Sequence, residues 1–208
     1  ITVDDMVAVN QRTDYVSGLP VAEGEAGGNP GPFTALGIYL GIKAAVQHKL
    51  GQDSVKGVHV AMQGIGSVGG GVARLLAKDG AKLTLADINS DEVEVLAQEL
   101  GAETVAPDAI MSVGCDVFSP NALGAILNEE GIARLDCAIV AGGANNQLAR
   151  PEHGAVLGQR NDRDEVEQAV YAWVGDVELL VPVAHDGYAA AAARGIVALP
   201  AGQLLAGG

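Results

Sequence analysis

An apolar run that leads directly into a glycine pattern constrains the fold of this chain more than any other feature. Residues 58–63 are mostly apolar, and Gly64, Gly66 and Gly69 follow in the spacing Gly-x-Gly-x-x-Gly. Residues 70–78 then carry apolar side chains at the spacing of a helix. A strand, a glycine turn and a helix in this order are typical of a dinucleotide-binding unit.

Each glycine of this pattern has a distinct expected role. Gly64 makes the tight turn, Gly66 lets the backbone approach a pyrophosphate, and Gly69 lets the helix pack closely against the strand. The helix N-terminus adds free N–H groups and a partial positive charge that favour phosphate. The alternative is a turn whose glycines serve packing alone.

A carboxylate follows the next predicted strand. Residues 82–87 form an apolar run that ends in Asp87. A carboxylate at this point accepts hydrogen bonds from the adenosine ribose hydroxyls. Residues 87–92 contain no Lys or Arg, so the 2′-phosphate of NADP would be repelled. The pattern therefore predicts NAD as the cofactor.

The rest of the chain alternates short apolar runs with helical segments. This alternation predicts an α/β, Rossmann-type fold: a doubly wound, mostly parallel sheet with helices on both faces. We expect residues 1–160 to form the NAD-binding domain, with 1–30 as a lead-in, and residues 161–208 to form an atypical tail. Further strands are expected at 104–105, 115–118 and 138–141, and helices at 33–50, 91–100 and 151–159.

Polar turns follow two of these strands, at residues 119–124 and 142–147. Ligands of an open parallel sheet bind at the carboxyl ends of its strands. Asn121 and Asn145 therefore either line a nicotinamide pocket or cap their own loops, and the pattern leaves both roles open.

Two helices are predicted before the glycine pattern. Thr2 is expected to cap the first, with Asp5 three residues on completing a capping box. The second begins at Phe33 after a turn rich in Gly and Pro, and Thr34 in its first turn either offers a hydroxyl to a ligand or caps locally. Its apolar residues at helical spacing are Phe33, Leu36, Leu40 and Ala44.

Charge and composition exclude several classes of partner. The net charge of −14 disfavours nucleic acid and anionic membranes, whose phosphates would be repelled. No apolar run approaches the roughly 20 residues of a membrane span, and no secretory signal is evident. We expect a soluble, cytoplasmic protein with no metal site, in which Cys115 and Cys137 are core thiols.

Several motifs occur together in the chain: the glycine pattern, Asp87 and residues 2–6, 15–20, 32–37, 120–124 and 143–148. In this order they resemble the C-terminal, NAD-binding part of the amino-acid dehydrogenases that act on Leu, Phe, Val or Glu, with detail nearest the Leu/Phe/Val branch. The resemblance implies oxidative deamination of an L-amino acid to a 2-oxo acid and ammonia, with NAD as the oxidant.

The resemblance also implies a set of cofactor-binding residues, grouped by the part of the dinucleotide that each contacts. The implied pyrophosphate residues are Gly64, Gly66, Ser67, Val68 and Gly69. The implied adenosine residues are Asp87 at the ribose and Ile88 at the adenine. The implied residues of the nicotinamide side are Thr34, Pro120, Asn121, Ala122, Ala144 and Asn145.

Two departures from the family pattern shape the expected activity. The family's catalytic Lys and Asp precede the region that resembles this chain, which begins with Ile1. We therefore expect a fragment that binds NAD without turnover, whose amino-acid substrate contacts an absent N-terminal domain in a full-length homo-oligomer. The second departure is in the tail, where residues 194–208 resemble the family's terminal segment but have Leu205 in place of an Asn.

Two other functions remain open at this stage. The chain taken alone fits a non-catalytic NAD-sensing module, which reports cofactor binding to a partner. It also fits an oxidoreductase acting on another substrate, for which His59 and His153 are conceivable proton carriers.

Overall fold

The computed structural model describes residues 2–21, 28–159 and 171–173 of the chain. Within these residues a six-stranded sheet runs in the order β3-β2-β1-β4-β5-β6, and every neighbouring pair is parallel. The first strand is central: β2 and β3 are added on one side of it, and β4, β5 and β6 on the other. This strand order is that of the dinucleotide-binding α/β folds. The α/β Rossmann-type prediction is confirmed.

The strands are short, and β1 to β5 are each followed by helical or turn structure. The strands are β1 His59–Gln63, β2 Lys82–Ala86, β3 Glu103–Thr104, β4 Val117–Pro120, β5 Ile139–Gly142 and β6 Tyr171–Trp173. The helices are α1 Val3–Asn10, α2 Gly31–Leu50, α3 Ser67–Lys78, α4 Ser90–Leu100, α5 Glu129–Arg134 and α6 Glu152–Gln159. A 3₁₀ turn spans Ile110–Ser112.

Helices cover both faces of the sheet, as predicted. Alternate strand residues face opposite sides, so Val60 and Met62 pack with α2, α3 and α4, whereas Phe118 and Val140 pack with the 3₁₀ turn, α5 and α6. The central strands β1, β4 and β5 are buried on both faces, which explains why they read as mostly continuous apolar runs rather than alternating ones. The edge strand β3 is exposed.

Local signals in the sequence account for several helix ends. The Thr2 hydroxyl accepts a hydrogen bond from the Asp5 N–H at 3.3 Å, and the Asp5 carboxylate accepts one from the Thr2 N–H at 2.7 Å. The predicted capping box is therefore confirmed. Gly51 and Gly101 end α2 and α4 in the left-handed conformation, with φ of 66° and 65°.

Some residues that share the apolar spacing of α2 are exposed in the structure. The residues that pack into the core are Ala35, Ile38, Tyr39, Ile42, Ala45 and Val46. Phe33, by contrast, is 74% exposed and Leu40 is 53% exposed. Because α2 is apolar on both faces, helical spacing alone does not distinguish the buried stripe from the exposed one.

Boundaries elsewhere shift by one or two residues. Strand β4 starts at Val117 rather than at Cys115, and β5 starts at Ile139 rather than at Ala138. The structure adds the short α5 and the strand β6, which pairs with β5.

Apart from β6, the expected tail at 161–208 lies outside the described residues. The segment 194–208 that resembles the family's terminal segment lies outside them too.

Candidate cofactor site

The glycine turn lies at the carboxyl end of β1, in the centre of the sheet. Gly64 has a φ of +87°, and a Cβ there would lie 2.7 Å from the Ala122 nitrogen. A Cβ on Gly69 would collide with the Gly64 carbonyl oxygen. Both positions therefore require glycine for backbone conformation and helix packing, whatever binds nearby.

Gly66 differs from its two companions. It is the N-cap residue of α3, and among the described residues no heavy atom beyond its chain neighbours lies within 4 Å of the position of a Cβ on Gly66. The space above it is therefore open, and the free N–H groups of the first turn of α3 begin there. A ligand phosphate fits this space without a side chain in the way.

A second helix begins beside the first turn of α3. A Cβ on Gly31, at the start of α2, would lie 2.9 Å from the Ser67 hydroxyl oxygen. The Asn29 side-chain oxygen accepts a hydrogen bond from the Gly31 N–H at 2.9 Å. The start of α2, with Thr34 in its first turn, is thus close to the glycine turn.

Thr34 uses its hydroxyl locally. The hydroxyl donates a hydrogen bond to the Pro30 carbonyl oxygen at 3.0 Å, one turn earlier. Of the two roles left open for Thr34, the structure therefore contains the local one. The hydroxyl oxygen retains lone pairs that can accept a hydrogen bond from a ligand amide.

Asp87 comes directly after β2 and contacts the glycine turn. One carboxylate oxygen accepts a hydrogen bond from the Ile65 N–H at 2.8 Å, and the other accepts one from the Asn89 N–H at 3.2 Å. An ionised carboxylate has about four acceptor positions, so it can still accept bonds from ribose hydroxyls. Ile88, the next residue, is 93% exposed.

A shallow hollow lies between α3 and α4, next to Ile65. Asp91 and Glu92 line it together with Arg74. The Arg74 guanidinium is held by Glu99, with N–O distances of 2.7 and 2.8 Å, and this pair lowers the pKa of the Glu99 carboxyl. The surroundings of Asp87 are therefore predominantly acidic.

Asn121 joins the carboxyl ends of three strands. Its backbone N–H donates to the Gln63 carbonyl oxygen at 2.6 Å, and its side-chain amide donates to the Ser119 carbonyl and hydroxyl oxygens, each at 3.0 Å. Its side-chain oxygen accepts from the Gly143 N–H at 2.9 Å. Of the two roles left open, the structure therefore contains loop capping for Asn121.

The other predicted residues of this edge differ in exposure. Pro120 is buried and its carbonyl oxygen accepts from the Ala144 N–H at 2.9 Å, while Ala144 itself is 2% exposed. Ala122 and Asn145 are exposed in the loops after β4 and β5. Val68 is half-buried and packs against the core. All of these loops share the carboxyl edge of the sheet with the glycine turn.

Comparison with known proteins identifies the family. No protein-family model matches the chain. It is 48% identical over 159 residues to leucine dehydrogenase from Thermoactinomyces intermedius, across 76% of this chain and 43% of that protein. It is 38% identical over 164 residues to phenylalanine dehydrogenase from Lysinibacillus sphaericus, across 76% of this chain and 43% of that protein.

The crystal structure of L-tryptophan dehydrogenase from Nostoc punctiforme has the same fold. It superposes with a TM-score of 0.66 at 35% identity, covering 82% of this chain and 46% of that one. The chain belongs to the Glu/Leu/Phe/Val amino-acid dehydrogenase family. It spans less than half the length of the curated relatives it matches.

Gln63 is a polar residue of this amino-acid dehydrogenase chain that sequence reasoning did not select. It is the last residue of β1, directly before the glycine turn. Among the described residues its buried side-chain oxygen has no hydrogen-bond partner. The available signal in the sequence was a polar amide at the end of a mostly apolar strand, directly before the glycine pattern.

The two histidines weighed as proton carriers have structural partners. The His59 ring nitrogen Nε2 lies 2.8 Å from the Thr84 hydroxyl oxygen, at the amino end of β1. His153 is 3% exposed, and its Nε2 lies 3.1 Å from a Glu129 carboxylate oxygen. The His59 contact lies at the amino end of β1, away from the glycine turn, whereas Glu129 and His153 lie in the first turns of α5 and α6.

Across residues 2–21, 28–159 and 171–173, no group of three or more His, Cys, Asp or Glu side chains is placed to hold a metal ion.

None of the helices in the described part of the chain is long and apolar enough to cross a bilayer.

Proposed function

We propose that this chain is the NAD-binding domain of an amino-acid dehydrogenase, and that residues 1–160 contain that domain. The whole protein would oxidise an L-amino acid, of the Leu/Phe/Val type, to a 2-oxo acid and ammonia. Membership of the family supports this proposal. The single structural observation that carries it is the open space above Gly66 at the start of α3, beside the Asp87 carboxylate.

The residues at this edge fit a dinucleotide. The first N–H groups of α3 would bind a pyrophosphate, because the helix begins at Gly66 with open space above that residue. Asp87 has acceptor capacity left for the ribose, and Ile88 offers an exposed apolar surface to the adenine. The loops with Thr34, residues 120–122 and residues 144–145 would surround the nicotinamide half.

Bound NAD would supply the hydride acceptor for the substrate carbon. The contribution of this chain is to orient the cofactor and to exclude NADP. The carboxylates of Asp87, Asp91 and Glu92 would repel a ribose 2′-phosphate, while the nearby guanidinium of Arg74 is engaged by Glu99. The amino-acid substrate and the assembly of the whole protein as a homo-oligomer are parts of the same proposal.

The test is calorimetric titration of this chain with NADH and, separately, with NADPH. We expect saturable binding of NADH and at least tenfold weaker binding of NADPH. Gly66→Val should abolish NADH binding while leaving thermal unfolding close to that of the parent. Failure of the folded parent chain to bind either nucleotide would overturn the proposal.

Asp87→Asn separates the two roles of that carboxylate. The amide oxygen can still accept the Ile65 N–H, so the turn stays in place, but the charge is lost. We expect weaker NADH binding and a smaller preference over NADPH. Glu94→Gln removes one charge from an exposed position on α4 and is the matched control, for which the preference should stay unchanged.

A further inference from the structure

The two cysteines of the chain lie opposite each other at the amino end of β4 and β5. An isolated parallel bridge joins Gly114 to Asp136, and the same offset continues through the paired strands. Cys115 and Cys137 are the next residues along, so they face each other across the two chain segments. The Cys115 N–H donates to the Asp136 carbonyl oxygen at 3.0 Å, which holds this register.

This register suits a disulfide bond. Neighbouring strands of a sheet lie about 4.8 Å apart, and disulfides join residues whose Cα atoms are about 4.4–6.8 Å apart. Directly opposite residues of a parallel pair point to the same side of the sheet. The side chains of Cys115 and Cys137 are accordingly close enough to hydrogen-bond to each other.

Both thiols are reachable from solvent. Each is partly buried rather than fully buried, which corrects the expectation of core thiols, although both pack against the core on one side. They line one open surface hollow together with His59, Asp116 and Asp136. A small reagent can therefore approach the pair without unfolding the sheet.

We propose that Cys115 and Cys137 form a redox-active dithiol, a modification site that a low-molecular-weight disulfide such as oxidised glutathione converts reversibly into an intramolecular disulfide. One of the two thiols attacks a glutathione sulfur as its thiolate, and the departing glutathione thiolate takes up a proton. The other thiol then loses its proton to water and attacks the protein sulfur that carries glutathione, which releases the second glutathione. Two protein thiols are oxidised and one small disulfide is reduced.

The surroundings of the two thiols affect the rate of the exchange. The hydrogen bond to Cys137, followed by burial, raises the pKa of the Cys115 thiol, which lowers the fraction present as the reactive thiolate. The carboxylates of Asp116 and Asp136 disfavour any thiolate here, so the exchange is expected to be slow.

The disulfide would constrain the sheet and would not contact the residues proposed to bind the cofactor. It would join the amino ends of β4 and β5, whereas the glycine turn, Asp87 and Asn121 lie at the carboxyl ends. Closing the loop of residues 115–137 restricts the unfolded chain and so stabilises the folded one. The inference is therefore independent of the proposed function.

The experiment is to incubate the folded chain in glutathione buffers of increasing oxidised fraction. Free thiols are then blocked with N-ethylmaleimide and the intact mass is measured. We expect the intact mass to fall by two hydrogens, a change that reductant reverses, and we expect a monomer on a non-reducing gel.

Two further measurements characterise the bond. Cleavage after Arg134 separates the two cysteines, so the tryptic digest should contain one disulfide-linked peptide pair. Urea unfolding of the oxidised chain should shift upward by about 1 M.

The single variants test whether both thiols are needed. Cys115→Ser should stop at a glutathione adduct on Cys137, and Cys137→Ser should stop at an adduct on Cys115, because neither variant has a second thiol to displace the glutathione. Two adducts on the folded parent chain, or two free thiols after the most oxidising buffer, would overturn the proposal. A disulfide that appears only in urea would also overturn it, because the native register would then play no part.

Discussion

The two edges of the sheet are built in different ways. At the carboxyl edge, Gly64 and Gly69 bring backbone against backbone, and Asn121 joins three strand ends with hydrogen bonds to main-chain atoms. At the amino edge, side chains take part in the contacts, as between the His59 ring and the Thr84 hydroxyl and between the Asp116 carboxylate and the His59 N–H. Close backbone approach demands glycine at fixed intervals along the chain, so the carboxyl edge leaves a motif in the sequence. Side-chain contacts between residues from different strands leave no such motif in the sequence.

The sharpest way to test this contrast is to compare two glycines of the same motif. Gly69→Ala should destabilise the fold by about 3 kcal/mol, because its Cβ would collide with the Gly64 carbonyl oxygen and push α3 off the sheet. Gly66→Ala is the matched control, and should cost less than about 1 kcal/mol because it enters open space. Urea unfolding measures both. Equal losses would mean that α3 does not depend on close packing at Gly69.

Asn121→Ala tests whether side-chain bonds hold the loops of the carboxyl edge. The change removes the acceptor of the Gly143 N–H and the donor to Ser119, so we expect a loss of about 2 kcal/mol in the free energy of unfolding. Asn145→Ala, at an exposed position in the neighbouring loop, should stay within about 0.5 kcal/mol. If the two variants unfold alike, Asn121 does not join these strands in solution.

Thr84→Val tests the amino-edge side of the comparison. The β-branched shape is kept while the hydroxyl that meets the His59 ring is removed from a position only 1% exposed. We expect a loss of about 1 kcal/mol with the affinity for NADH unchanged. Denaturant unfolding and calorimetry give the two readings, and a loss of NADH affinity would show that the two edges are coupled.

The smallest effect is expected at Asp79, which lies at the end of α3 and ties it to α2. Hydrogen bonds from the Tyr39 hydroxyl and then from Lys43 hold the pKa of the Asp79 carboxyl below its ordinary value of 3.8. Stability from this group is therefore present above that value and is lost as the pH falls through the lower, folded-state pKa. Asp79→Asn should unfold more easily than the parent at pH 7, and the difference should shrink at pH 3. A constant difference in thermal midpoint would contradict this.

The fold was predictable from sequence because its signals are local. The spacing of Gly64, Gly66 and Gly69, the buried strands and the terminal carboxylate of Asp87 each act over a few residues. The capping box at Thr2 was predicted for the same reason. Strand limits were less accurate, since Cys115 and Ala138 are apolar and pack against the core although they precede the paired segments.

The candidate site was only partly predictable. Whether Asn121 caps its loop depends on Gly143, 22 residues away, and no local pattern contains that information. The buried face of α2 could not be chosen either, because Ile38 and Leu40 are equally apolar in sequence although Ile38 is 2% exposed and Leu40 is 53% exposed. The cofactor-binding roles of the glycine pattern and of the loops around it are predictions.

The parallel pairing of β1 with β4 has a consequence for how fast the chain folds. The first two strands and α3 form one nearly contiguous stretch, but His59 must meet Asp116, 57 residues later in the chain, before the second half of the sheet can add to the first. Closing a loop of that length loses entropy before it gains contacts, so refolding should be limited by the arrival of β4. A stopped-flow refolding trace is expected to report a slow phase that belongs to the centre of the sheet.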